Sequence, residues 1–261
     1  MSKRIFLLLL AAGLVASGLR AANDPFIGNW KLNPSRSKLS DEMKVEKVDA
    51  NKYAFDFVGD GNAEPIVIDG TDQPASGGTT LSVAAERPDA WKVIRKKDGR
   101  MLLTANWKLS KDGNTLTDEF TGIAANGSAS TVNYVYKRKG TGSGFAGTWV
   151  STNMAVDFDY VLQFRPYEGD GLSIDDSYSG LTRNLKLDGK DYPNLGQSAV
   201  IITTSALRLL DEHTLELTDK RGNGEVFRTQ EIKLSSDLKT LMITQHIPGR
   251  TEPNIFVFER Q

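Results

Sequence analysis

The chain has 261 residues, a formal net charge of −1, two histidines and no cysteine. That inventory excludes disulfides and thiolate chemistry, and it offers no broad basic field for nucleic acid or anionic lipid. The length suits two small domains, each standing on an ordinary apolar core.

The first residues, Met1-Ser2-Lys3-Arg4, are basic, and an apolar run from Ile5 to Val15 follows, then small residues up to Ala22. This is the layout of a secretory signal peptide over residues 1–22. The run is shorter than the roughly 20 residues a membrane-spanning helix needs. The expectation is an exported bacterial protein, periplasmic or extracellular, with no integral membrane insertion. Loss of residues 1–22 would remove three basic residues and no acid, shifting the net charge from −1 to −4.

Two stretches then recur. Phe26-Ile27-Gly28-Asn29-Trp30 matches Phe145-Ala146-Gly147-Thr148-Trp149 at an offset of 119 residues. Asp69-Gly70-Thr71-Asp72-Gln73-Pro74 matches Asp188-Gly189-Lys190-Asp191-Tyr192-Pro193 at the same offset, whereas Trp107 to Asp112 matches Ile232 to Asp237 at 125. The change of offset places a net insertion of six residues in the second copy. Tyr136-Lys137-Arg138 closes the first unit as Phe258-Glu259-Arg260 closes the second. An internal duplication with units of roughly 115 residues follows.

Within each unit the dominant period is two. Tyr53, Phe55 and Phe57 alternate with Ala54, Asp56 and Val58; Met101, Leu103, Ala105, Trp107 and Leu109 form a second inward set; Val156, Phe158, Tyr160, Leu162 and Phe164 form a third. Alternation of this kind predicts antiparallel strands with one buried face. Turn signals such as Gly59-Asp60-Gly61-Asn62, Asp98-Gly99, Asp112-Gly113-Asn114 and Arg221-Gly222-Asn223-Gly224 punctuate them at the spacing of a sandwich or up-and-down barrel. Helix signals are few: residues 35–43 read as one short helical turn or a loop across a barrel end, and Asn194 to Leu210 equally as a buried strand. Lys139-Gly140-Thr141-Gly142-Ser143-Gly144 reads as a glycine-rich linker between units.

Gly28-Asn29-Trp30 and Gly147-Thr148-Trp149, each opening a unit, resemble the first-strand motif of the lipocalin and wider calycin barrels. The Lys31-Leu32-Asn33-Pro34-Ser35-Arg36-Ser37 extension is similar to that of lipocalin-like proteins exported by bacteria. The resemblance implies a tryptophan at the closed barrel end, crossed by a basic residue from the last strand. Arg138 and Arg260 stand at the matching positions. Each unit is shorter than a typical lipocalin. The expected fold is all-β with little helix: two homologous lipocalin-like antiparallel barrels in tandem, over 23–140 and 141–261.

Chemistry-bearing residues are sparse. His213 and His246 share no metal-ligand spacing, and no phosphate-binding glycine loop opens a helix, so no metal, cofactor or catalytic residue is expected. Asp157, Asp159, Asp175 and Asp176 read as a solvated strand face and a loop, and Lys92, Arg95, Lys96, Lys97 and Arg100 as a charged edge. Catalysis from a barrel mouth would require a buried acid or tyrosine facing a cavity with a raised pKa. The expected ligand contacts are the inward aromatics Tyr53, Phe55, Phe57, Trp91, Trp107, Phe158, Tyr160 and Phe164. The resemblance implies non-catalytic binding of a small, largely apolar molecule in one or both barrels; the alternative is an envelope structural or interaction module with filled barrels.

Overall fold

The computed structural model describes residues 24–123, 127–156, 159–196, 201–250 and 252–261, with backbone only over 152–156. The signal-peptide reading of residues 1–22 lies outside them. The alternating segments form β1 (Gly28–Leu32), β2 (Asp41–Lys47), β3 (Lys52–Asp56), β4 (Glu64–Val67), β5 (Gln73–Ala75), β6 (Thr79–Arg87), β7 (Ala90–Lys97), β8 (Arg100–Leu109), β9 (Thr115–Ile123), β10 (Ala129–Ser143) and β11 (Ala146–Val156). The second half adds β12 (Val161–Tyr167), β13 (Gly171–Asp176), β14 (Leu181–Leu185), β15 (Tyr192–Pro193), β16 (Leu195–Gly196), β17 (Thr204–Asp211), β18 (Thr214–Lys220), β19 (Val226–Leu234), β20 (Thr240–His246) and β21 (Asn254–Arg260). The described residues contain no α-helix, only 3-10 turns at Pro34–Arg36 and Ser76–Gly78. All of this is two nearly closed antiparallel barrels.

The barrels do not divide the chain at 139–144. The first sheet runs β4-β3-β2-β11-β10-β9-β8-β7-β6-β5, a continuous stretch from β2 to β11. The second runs β15-β17-β18-β19-β20-β21-β1-β12-β13-β14-β16, so it takes β1 from the far end of the chain. The opening strands of the two repeats are exchanged. The expected boundaries of 23–140 and 141–261 are corrected accordingly: the first barrel spans residues 41–156, and the second combines β1 with β12 to β21. The glycine-rich segment is part of the β10–β11 hairpin, with Arg138 opposite Trp149 and Ser143 opposite Ala146. Gly140 and Gly144, at φ of 75° and 56°, supply the left-handed backbone of a turn inside a sheet.

The arginine staples cross in the same sense. Arg138 lies 4.1 Å over the Trp149 ring and Arg260 4.1 Å over that of Trp30. Each guanidinium also donates to backbone carbonyls: Arg260 to Leu238 (2.7 Å), Ile27 (2.7 Å) and Pro25 (2.5 Å), Arg138 to Gly113 (2.7 Å), Ala146 (2.5 Å) and Gly144 (2.6 Å). Each tryptophan donates its indole N–H to the carbonyl four residues earlier, Phe26 or Phe145, at 2.9 Å. The glycine of each motif is where the guanidinium passes: at Gly28, with φ 145°, a Cβ would stand 2.8 Å from Arg260 Nη1. Cation–π contact contributes about 0.5–2 kcal/mol per staple.

Strand register confirms the duplication. Trp30 faces Leu162 as Trp149 faces Met43, and Phe55 faces Glu64 as Ile174 faces Arg183. The row Trp107–Asp118–Tyr134 across β8, β9 and β10 corresponds to Ile232–Ile243–Phe256 across β19, β20 and β21. In the first barrel the seam between β4 and β5 is bridged by the Gln73 amide. It accepts from Val67 N–H and donates to Val67 C=O, both at 2.8 Å, as a strand backbone would.

A candidate ligand cavity shared by the two barrels

The open ends of the barrels face each other. Arg250, between β20 and β21, reaches into the first barrel's rim, donating to Val58 C=O (2.6 Å), Asp41 Oδ1 (2.6 Å), Ser40 C=O (3.2 Å) and Glu42 C=O (3.3 Å). Arg221 pairs with Asp60, whose loop is held by Asp56 accepting the N–H groups of Val58, Asp60 and Gly61. The Tyr134 and Tyr178 hydroxyls meet at 3.0 Å across the junction. Behind this clasp lies a cavity of about 430 Å³, with walls from both barrels. Met43, Leu81, Val93 and Phe120 line it from the first, and Leu162, Ile174, Leu217 and Phe256 from the second.

The eight aromatics expected from the sequence divide by height in the barrel. Phe57 and Trp107 line the cavity from the first barrel, Tyr160 and Phe164 from the second. Tyr53, Phe55 and Trp91 instead pack toward the closed end. Phe55 is fully buried, and Trp91 stacks on Phe145 with ring centroids 3.9 Å apart. Phe158 lies outside the described residues. Alternation gives a side chain its face of the sheet, but not its depth along the barrel.

Five arginines line the cavity, and each meets a carboxylate. Arg95 donates to Glu64 (2.7 Å) and Thr79 (2.9 Å); Arg228 donates to Asp219 (2.7 Å); Arg183 lies between Asp219 (3.1 Å) and Asp176 (3.9 Å); Arg221 and Arg250 hold Asp60 and Asp41. Arg95, read from sequence as part of a charged edge, is therefore an interior residue, because β7 turns it inward beside Val93. The Glu64–Arg95 pair of the first barrel reappears with its charges reversed as Arg183–Asp219 in the second. The register makes Arg183 the counterpart of Glu64 and Asp219 that of Arg95. Asp219, although buried, is held below the usual carboxylate range by Arg183 and Arg228.

Asp118 is the exception. It is 7% exposed, lines the cavity, and its Oδ1 has no hydrogen-bond partner among the described residues. Burial raises its pKa to about 7; the Trp107 indole N–H opposes that rise, while Asp41 and Glu119 add to it. The indole faces the carboxyl without closing a normal hydrogen bond, since Trp107 Nε1 is also unpartnered among the described residues. It offsets only part of the burial cost. Asp41, by contrast, accepts from Tyr136 Oη at 2.6 Å as well as from Arg250.

The sequence reading missed Asp118. The signal was present: in Leu116-Thr117-Asp118-Glu119-Phe120 the two apolar residues fix the inward parity, and Asp118 shares it. Of the carboxylates weighed from sequence, Asp159 pairs with Lys31 at 2.7 Å on the surface and Asp175 pairs with Arg165, while Asp176 turns inward to Arg183. Asp157 lies outside the described residues. No group of three metal-ligating side chains occurs among the described residues. No helix among them is long and apolar enough to cross a membrane. No family model, curated protein or solved structure matches the chain.

Proposed function

We propose that this is an exported, lipocalin-like binding protein that holds one small, largely apolar molecule in the cavity between its two barrels. The observation that carries the reading is that cavity: about 430 Å³, walled by aliphatic and aromatic side chains, with a few polar groups among them. Its volume falls in the range of small-molecule sites. The ligand sits across the junction, so both barrels contribute to one site. Native mass spectrometry of protein purified from an exporting host tests this, together with Ala105→Trp in the first barrel and Ile243→Trp in the second. A discrete added mass lost in both variants supports the reading. A bare mass, with no tryptophan fluorescence change across a panel of apolar compounds, refutes it.

One observation favours a second reading, acid–base chemistry in the same cavity. A carboxyl with pKa raised to about 7 beside Tyr134 is suited to move a proton near neutrality. Conversion of a bound compound that disappears in Asp118→Asn would favour it over simple carriage.

A further inference from the structure

The five cavity arginines are each engaged by a carboxylate (Glu64, Asp176, Asp219, Asp60 or Asp41), which leaves Asp118 as the lining acid with no basic partner among the described residues. No lysine or histidine lines the cavity among the described residues.

The neighbours of Asp118 are aromatic. Opposite it on β8 stands Trp107 and on β10 Tyr134, so the carboxyl sits between an indole and a phenol on one face of three strands. Faces of Trp and Tyr attract cations through the ring quadrupole, and do so most strongly away from water. The duplication supplies a control within the same chain. The equivalent row is Ile232–Ile243–Phe256, entirely apolar, so that barrel closes with no acid in this row. The fold therefore does not require Asp118; an unpaired buried carboxylate costs stability that a structural role does not return.

Resting on the cavity reading above, we propose that Asp118, flanked by Trp107 and Tyr134, anchors the ammonium group of a small amphipathic amine whose apolar body fills the shared cavity. The ammonium donates to Asp118 and lies against the two rings, and the hydrocarbon part contacts the aliphatic walls. The other ionisable groups facing this point are Asp41 on β2, itself held by Arg250 and Tyr136, Tyr136 and Tyr134 on β10, and Tyr178 from the second barrel; Glu119 follows in the chain. None of them supplies a cation to Asp118. Its carboxyl, with pKa about 7, must ionise to take the amine, so amine affinity rises with pH through neutrality.

The test is calorimetric titration of the full chain with 2-phenylethylamine and with 2-phenylethanol, its neutral counterpart, at pH 6 and pH 8. The wild type should prefer the amine at pH 8 by roughly tenfold or more, the scale of one charge-assisted hydrogen bond. Amine affinity should fall about tenfold at pH 6 while alcohol affinity stays level. Asp118→Asn, and Asp118→Ile, which copies the residue of the other barrel, should erase the preference and keep alcohol binding. Equal binding of amine and alcohol by the wild type, or a preference that survives either variant, overturns the anchor and leaves the cavity reading standing. Binding of neither compound at millimolar concentration by folded wild type overturns both.

Discussion

Replacing Asp118 by Asn should stabilise the protein, and by an amount that depends on pH. The carboxyl titrates near pH 7 in the folded chain against an ordinary value of 3.8 in the unfolded one. Its neutral form is the one the fold accepts. The contribution is fully present below pH 4 and is lost as pH rises through the interval up to about 7, because there the unfolded state gives up a proton that the folded state keeps. At 1.36 kcal/mol per pKa unit, the penalty approaches about 4 kcal/mol and stays level above pH 8. The neutral amide of the Asp118→Asn variant carries no such penalty. The variant's advantage should therefore be small at pH 4, grow by about 1.4 kcal/mol per pH unit, and reach a Tm difference of roughly 10 °C at pH 8. Calorimetric unfolding of both proteins from pH 4 to pH 9 measures it, and the subtraction cancels acid effects on the paired carboxylates. An advantage independent of pH, or a loss of stability at pH 8, would show that Asp118 is charged and satisfied in the fold.

The strand exchange makes two further predictions and the clasp a third. Double-mutant cycles should give about 0.5–2 kcal/mol of coupling between Arg138 and Trp149 and between Arg260 and Trp30, with none for Arg138 with Trp30 or Arg260 with Trp149; coupling within each sequence repeat would disprove the crossed staples. A fragment of residues 40–159 should fold cooperatively and be more stable than 23–140, in which β1 has to stand in for β11 from the far end of the chain; circular dichroism and urea unfolding of the two fragments decide it, and equal stability would refute it. Arg250→Ala removes four donated hydrogen bonds across the clasp and should cost about 2–3 kcal/mol in urea unfolding, with increased binding of a hydrophobic dye as the cavity opens. Unchanged stability would mean the barrels are held by other contacts.

Much of the fold was legible because period-two burial is imposed by strand geometry: Tyr53 and Phe55 fall in β3, and Ala105, Trp107 and Leu109 point inward from β8. Met101, expected inward, is instead exposed and Leu102 buried, because the register shifts between Met101 and Leu103. The exchange was not legible, because β1 and β11 carry the same Phe-x-Gly-x-Trp motif and each can complete either barrel. Chain entropy distinguishes them. β11 follows β10 after only Gly144 and Phe145, so its closure of the first barrel is a local hairpin, whereas β1 lies about a hundred residues from β10. With its place taken, β1 completes the second barrel beside β21 and β12. The glycines of that hairpin resemble a linker in composition and differ only in what flanks them. The cavity was half legible, since Phe57 and Tyr53 have the same parity and differ in depth. Asp118 was hidden by its neighbour: Asp118-Glu119 reads as a solvated pair until Leu116 and Phe120 set which of the two faces inward.

The two copies have diverged where they meet and agreed where they close. At the closed ends the tryptophan, arginine and glycine are retained with the same 4.1 Å stacking distance. At the shared cavity the buried ion pair is reversed, and the acid-bearing row of one copy has an apolar row as its counterpart in the other. Reversal preserves the Coulomb attraction within each barrel, so either polarity satisfies the fold of that barrel alone. It changes what a molecule spanning the junction meets: in the first barrel an unmatched carboxyl, in the second a wall whose arginines are already engaged by acids. Such a gradient exists only when the barrels are joined mouth to mouth, and the exchanged strands together with Arg250 and Arg221 are what join them. On the proposed reading selectivity is therefore a property of the pair, and the first barrel excised as residues 40–159 would retain its fold and lose the site.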